Sequence, residues 1–259
     1  MTRRFTLLVL AIVASLSVIV AACGSTAPAA PALTDPKEIL STSVLSVKDV
    51  KTLEITGSFT GSVKAAQLGD IDLSTVKLSA SIDIPNKKAK VSLDAPSILG
   101  TKVDALLLDK VAYYKVAGPL AAFLGASADK YTKADVPTAS GNPATNLTDV
   151  AASVAQLKAA LDKLPTPPTK AADEKCGDQD CYHVVLKLTG ADLKALDPTS
   201  STNGDVSLDL WSRKSDNRPA KLAFAVTTVD IGTFGVTLDI KYDVPVSVDA
   251  PPADQVVTP

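Results

Sequence analysis

A single strongly curved antiparallel β-sheet (a half-barrel) with helices packed on its concave face is the α+β fold this sequence predicts. Three observations carry that expectation. Apolar residues return at every second position in run after run, short turns join those runs, and two stretches of helical period stand at the start and in the middle of the folded region.

The opening element is "TDPKEILSTSVLSVKDV". Asp35 takes the N-cap place, Pro36 the first helical position and Glu38 the third, where a carboxylate meets free backbone N–H groups. Ile39, Leu40, Val44, Val47 and Val50 follow at helical spacing, so the helix has one apolar stripe. The period then drops to two. Leu53, Ile55 and Phe59 alternate with polar residues, as do Val76, Leu78, Ala80, Ile82 and Ile84. "PNKK" turns the chain into Ala89, Val91 and Leu93. Later runs repeat the pattern: Tyr182 to Leu188, Val206 to Leu210, Leu222 to Val226 and Phe234 to Tyr242.

Between the two groups of strands, Leu147, Val150, Val154, Leu157 and Leu161 share one face of a helix that Pro165, Pro167 and Pro168 stop. Asn146 reads as its N-cap, although "NLT" also has the form of a glycosylation sequon. A shorter helix or turn is expected over Pro119 to Leu124. Two sheets packed as a sandwich would leave the stripe of the central helix without a partner, so helices lying across one curved sheet are the better solution.

The N-terminus is a separate matter. Arg3 and Arg4 precede an apolar run from Phe5 to Val20, and small residues close it at Ala21 and Ala22. At roughly 16 residues the run is short for a membrane span of about 20. Val20-Ala21-Ala22-Cys23 has the form of a lipobox, whose cysteine accepts a diacylglycerol after cleavage. The expected organisation is therefore a signal peptide over residues 1–22, an Ala/Pro/Ser/Thr tether over 23–34, the folded domain over 35–250 and a flexible Pro-rich tail over 251–259. Acyl chains on Cys23, palmitate among them, place the protein on the extracytoplasmic face of the cell membrane.

Charge and cysteine content narrow the partners. The formal net charge is −2, and loss of Arg3 and Arg4 with the signal takes it from −2 to −4. Acids and bases are interspersed, which argues against a nucleic-acid partner. With Cys23 given to lipid, Cys176 and Cys181 remain, and in an oxidising compartment they are expected to form a disulfide across Gly-Asp-Gln-Asp. A zinc reading would enlist His183 and still fall one ligand short. No metal or cofactor is expected.

Catalysis finds little support. His183 is the one histidine, placed in an alternating strand on the face opposite Tyr182, where a surface role is expected. No Gly-x-Ser-x-Gly elbow accompanies it. Glu54, Asp83, Asp94, Asp209 and Asp239 fall where a solvated sheet face needs polar groups. The protein is expected not to be an enzyme. Aromatics make up 4% of the chain while Ala, Val and Leu abound, so the interior is aliphatic and holds either a close-packed core or a cavity shaped for alkyl chains.

Taken together, the lipobox, the capped helix followed by "VKTLEITGSFTG", then "DKVAYYKV", "DLWSRKSDNRPAKLAF" and the closing "VTLDIKYDVPVSVDAPPADQV" resemble the LppX/LprAFG family of bacterial lipoproteins. The resemblance implies a LolA/LppX-like half-barrel that holds acylated lipids or lipoglycans between sheet and helices and carries them within the cell envelope. The "CGDQDC" loop departs from the mycobacterial members. On this reading the cavity is lined by Leu53, Ile55, Phe59, Leu78, Ile82, Val91 and Leu93 on the sheet, and by Val150, Val154, Leu157 and Leu161 on the helix. A monomer is expected. The alternative is a surface-tethered structural or signalling module that binds a protein partner and has no ligand cavity.

Overall fold

The computed structural model describes residues 32–65, 69–123, 127–136, 150–196, 204–228 and 232–258. The first described element is α1 (Pro36–Leu45), and the capping residues do what their chemistry allows: Asp35 Oδ1 accepts the Lys37 backbone N–H at 2.8 Å, with Pro36 behind it. One face of α1 buries Ile39, Leu40, Ser43 and Val44.

Strands follow in sequence: β1 (Thr52–Ala65), β2 (Gly69–Asp72), β3 (Lys77–Asp83), β4 (Lys88–Ala95), β5 (Thr101–Leu108) and β6 (Val111–Ala117). A short helix, α2 (Leu120–Phe123), leads to β7 (Tyr131–Asp135), and the central helix α3 covers Val150–Asp162. The second group comprises β8 (Thr169–Lys170), β9 (Glu174–Cys176), β10 (Gln179–Leu188), α4 (Gly190–Leu196), β11 (Gly204–Arg213), β12 (Pro219–Thr228) and β13 (Gly232–Tyr242). Asn146 and Leu147, expected at the start of the central helix, lie outside the described residues.

All the described strands belong to one open, curved sheet in the order β14-β7-β6-β5-β4-β3-β1-β13-β12-β11-β10-β8, where β14 is Val256–Val257, with β2 on β1 and β9 on β10. The two sequence groups meet where β1 pairs with β13. Because side chains of paired residues share a face, the registers trace what each face carries. One rung runs Leu93, Leu78, Gly57, Leu238, Leu222, Leu210 and Val184, all on the inner face. The adjacent rung on the outer face runs Ser79, Thr56, Asp239, Lys221, Trp211 and His183. Gly57 is needed in its rung: a Cβ there would sit 3.0 Å from Leu78 Cβ and 3.1 Å from Leu238 Cδ2. The leucines of β3 and β13 close over β1 only because β1 offers no side chain.

Two expected boundaries are revised. The tether does not stay free as far as residue 34, because Leu33 packs on the buried Ile39, Tyr182 and Val184, and its N–H donates to Tyr182 Oη at 3.1 Å. The tail over 251–259 does not trail either. Asp243 N–H donates to Thr52 O at 2.9 Å, Val248 is buried, and after a 3₁₀ turn (Ala253–Gln255) Val256 and Val257 pair with Tyr131 and Thr132. Proline content suggested looseness, but two β-branched residues can satisfy an otherwise bare sheet edge. That pairing is parallel, so the sheet is antiparallel except at this last strand.

Candidate functional site

An apolar cavity of about 530 Å³ lies between the two long helices and the inner face of β1 and β11–β13. The helical spacing that made α1 amphipathic turns Leu40, Ser43 and Val44 toward it, the turn after α1 adds Val47, and α3 supplies Ser153, Val154, Leu157 and Leu161. The sheet contributes Leu53 and Ile55, Leu208 and Leu210, Pro219 and Leu222, and Ile240 and Tyr242. No Asp, Glu, Lys, Arg or His is among the lining residues. Leu40, Val44, Leu161 and Leu210 form the buried cluster on one side, with Val154 and Leu222 half-buried against it.

Ser43, the polar residue that α1 brings to the wall, has its hydroxyl engaged elsewhere. Ser43 Oγ stands 2.7 Å from the Ile39 carbonyl oxygen and 2.7 Å from Ser212 Oγ, and Ser212 Oγ donates to Asn217 O at 2.9 Å. This chain of hydroxyls pins α1 to β11 and satisfies groups that would otherwise be costly to bury. Tyr242 presents its ring to the cavity, and burial raises its phenol pKa. The guanidinium carbons of Arg213 and Arg218 lie 5.1 and 5.4 Å from the ring centroid. A cavity lined this way is suited to hydrocarbon.

The cavity gathers Leu53, Ile55, Val154, Leu157 and Leu161 from the expected lining residues. Others face the same side and do not line it. Ile82 is buried with Ala89, Leu107 and Val136. Phe59 and Leu93 pack on Ile71, Leu73, Val76 and Ala95. Leu78 closes over Gly57, and Val91 lies between Ala80 and Ala105 in its rung. The Val150 side chain and Cys23 lie outside the described part. The lining residues missed by sequence reasoning come from α1 and from β11–β13. Their alternation was visible, but not that β13 borders β1, so the expected wall was drawn through the strands next in sequence.

A second cluster sits on the outer face. Cys176 and Cys181 are bonded, with Cα atoms 5.9 Å apart, and staple the β9–β10 hairpin. That hairpin sets Glu174 Oε1 3.0 Å from His183 Nδ1, while Asp209 Oδ1 is 2.8 Å from Nε2. The Trp211 ring stacks on the imidazole at 4.4 Å and donates its Nε1–H to Glu174 at 2.5 Å. His183 was expected on the surface. It occupies the outer face, but its side chain is only 15% exposed because the cross-strand Trp211 and the stapled Glu174 close over it. The two carboxylates hold opposite ring nitrogens and cannot converge on one ion.

No family model matches the chain, and no curated protein matches it in sequence. Solved structures do match. The Mycobacterium tuberculosis lipoprotein LppX superposes with a TM-score of 0.50 at 14% identity, covering 83% of this chain and 98% of its own. LprF from Mycobacterium bovis superposes with a TM-score of 0.52 at 13% identity, covering 83% of this chain and 96% of its own. Identity at this level speaks to the fold. An open curved sheet with its helices on the inner face is thus the fold that this chain shares with the LppX/LprAFG lipoproteins.

Proposed function

We propose that the protein is a membrane-anchored, extracytoplasmic lipoprotein that binds acylated lipids or lipoglycans in the cavity between α1, α3 and the sheet and carries them within the cell envelope. The observation that carries this reading is an aliphatic cavity of about 530 Å³ with no ionisable residue but a tyrosine in its wall. That volume falls in the range of roughly 300–1,000 Å³ usual for ligand sites. Each methylene transferred from water contributes about 0.8 kcal/mol, on the order of 10 kcal/mol for a long tail, so uptake needs no polar contact. Binding and release are the whole activity, with no catalytic residue. Cys23 supplies the anchor and the following tether lets the domain reach lipid at the membrane and present it elsewhere.

Native mass spectrometry of the full chain purified from its host tests this directly. Acyl lipid should co-purify, and Val154→Trp, which fills the space facing Leu222, should reduce retained lipid at least tenfold while the thermal transition stays within a few degrees. Absence of lipid from the unaltered chain sinks the reading.

A further inference from the structure

The two ends of the cavity differ. Tyr242 is the last residue of β13 and pairs with Leu53, near the start of β1, so it stands on the final rung of this part of the sheet. Behind its ring, Arg213 chelates Asp216 with Nε and Nη2, the first at 2.9 Å, and Arg218 Nη1 donates to Asp243 at 2.7 Å. The side chains of both arginines are largely withdrawn from water, at 16% and 24% exposure. A hydrocarbon tail pushed past Tyr242 would have to break charge-assisted bonds in a partly desolvated network. At the other end the character reverses. Leu208, in the cavity wall, pairs with Phe224, which is 37% exposed although it points to the inner face. Among the described residues, that end is apolar.

Resting on the lipid-binding reading, we infer that Tyr242, backed by the Arg213 and Arg218 ion pairs, is the floor of the cavity and sets the length of acyl tail it accepts, with the tail entering from the end marked by Leu208 and Phe224. The ruler can be read from the sheet. Phe224 pairs with Val236, six residues along β13 from Tyr242. A strand rises about 3.3 Å per residue, so six residues span about 20 Å, and an all-trans alkyl chain, which advances about 1.3 Å per bond, takes roughly 16 bonds to cover it. Saturated tails of about 16 to 18 carbons fill the distance from mouth to floor.

The test presents the full chain with an equimolar mixture of saturated fatty acids spanning roughly 12 to 22 carbons, and native mass spectrometry reads which are retained. The unaltered chain should favour about 16 to 18 carbons, and Tyr242→Phe, which keeps the ring, should match it. Tyr242→Ala removes the floor and should move the optimum up by about four carbons, roughly the length of the lost ring. Ile240→Trp raises the floor by one rung and should move it down, and this variant decides the matter if Tyr242→Ala proves unstable. A fatty acid carrying a photoreactive diazirine at its methyl end should label the peptide that contains Tyr242, and one carrying it beside the carboxyl should label the peptide of Phe224. Retention of fatty acid with an unchanged length profile in both variants overturns the floor, as does methyl-end labelling at Phe224. No retention by the unaltered chain removes the lipid-binding reading itself.

Discussion

The half of the sheet built from β3–β7 and the half built from β10–β13 carry the same alternation of apolar and polar residues, yet the apolar cavity between helices and sheet lies over the second. On the first half the inner residues are buried among themselves or by local loops: Ile82, Ala89 and Leu107 meet Val136, and Leu93 meets Ile71, Leu73 and Val76 from the β2 loop. On the second half the partners are whole helices, with α1 packed on β10 and β11 and on α3. Side chains from a loop can settle into the pleat one at a time. A helix is a rigid cylinder about 10 Å across, and two of them laid on a curved sheet meet along lines and leave the space between. Alternation marks the side that turns inward; the kind of covering element decides whether that side closes.

The contrast can be broken by paired truncations. Ile82→Ala, in the closed half, should cost about 2–5 kcal/mol in urea unfolding, because it leaves a void in a region with no slack. Leu157→Ala, in the cavity wall and half exposed, should cost less than about 1 kcal/mol. Equal costs would mean that the two halves are packed alike.

Removing the staple with Cys176→Ser and Cys181→Ser should cost about 2 kcal/mol, as expected for closing so short a loop. It should also free Glu174 from Trp211, and because Trp211 is the one tryptophan, its emission should shift to the red. An unmoved spectrum would show that Glu174 is held without the bridge. Ser43→Ala tests the seam between α1 and β11. It removes a buried partner of Ser212 and should cost about 1–2 kcal/mol, with a faster exchange of the α1 amides.

The smallest effect belongs to pH. Asp243 has its carboxyl pKa lowered by the Lys51 backbone N–H and then by Arg218. A lowered folded-state pKa stabilises the protein above the ordinary carboxylate range, and that stabilisation is lost as pH falls through the folded value. Thermal unfolding between about pH 5 and pH 2 should therefore show a shallower acid loss in Asp243→Asn than in the unaltered chain. Coincident curves would place the acid sensitivity in other carboxylates.

Local features were legible in the sequence because their causes are local. The cap at Asp35, the inward set of Leu53, Ile55, Leu210 and Leu222, the outward set of Thr56, Asp209 and Lys221, and the Cys176–Cys181 bond each depend on residues a few positions apart. His183 was assigned to the right face and misjudged in depth, since its cover comes from Trp211 in another strand and Glu174 across a hairpin.

Sequence by itself determined which residues turn inward, where the first helix starts and that the interior is aliphatic. Tertiary structure alone decided that β1 has β13 as its second neighbour, that the cavity lies over β11–β13 and not over β3 and β4, and that Tyr242 stands at its end. The physical reason is that a period of two specifies a face and is silent about the strand across the hydrogen bonds. The match between Leu53–Gly61 and Phe234–Tyr242 joins segments far apart in the chain, and nothing within either segment names the other.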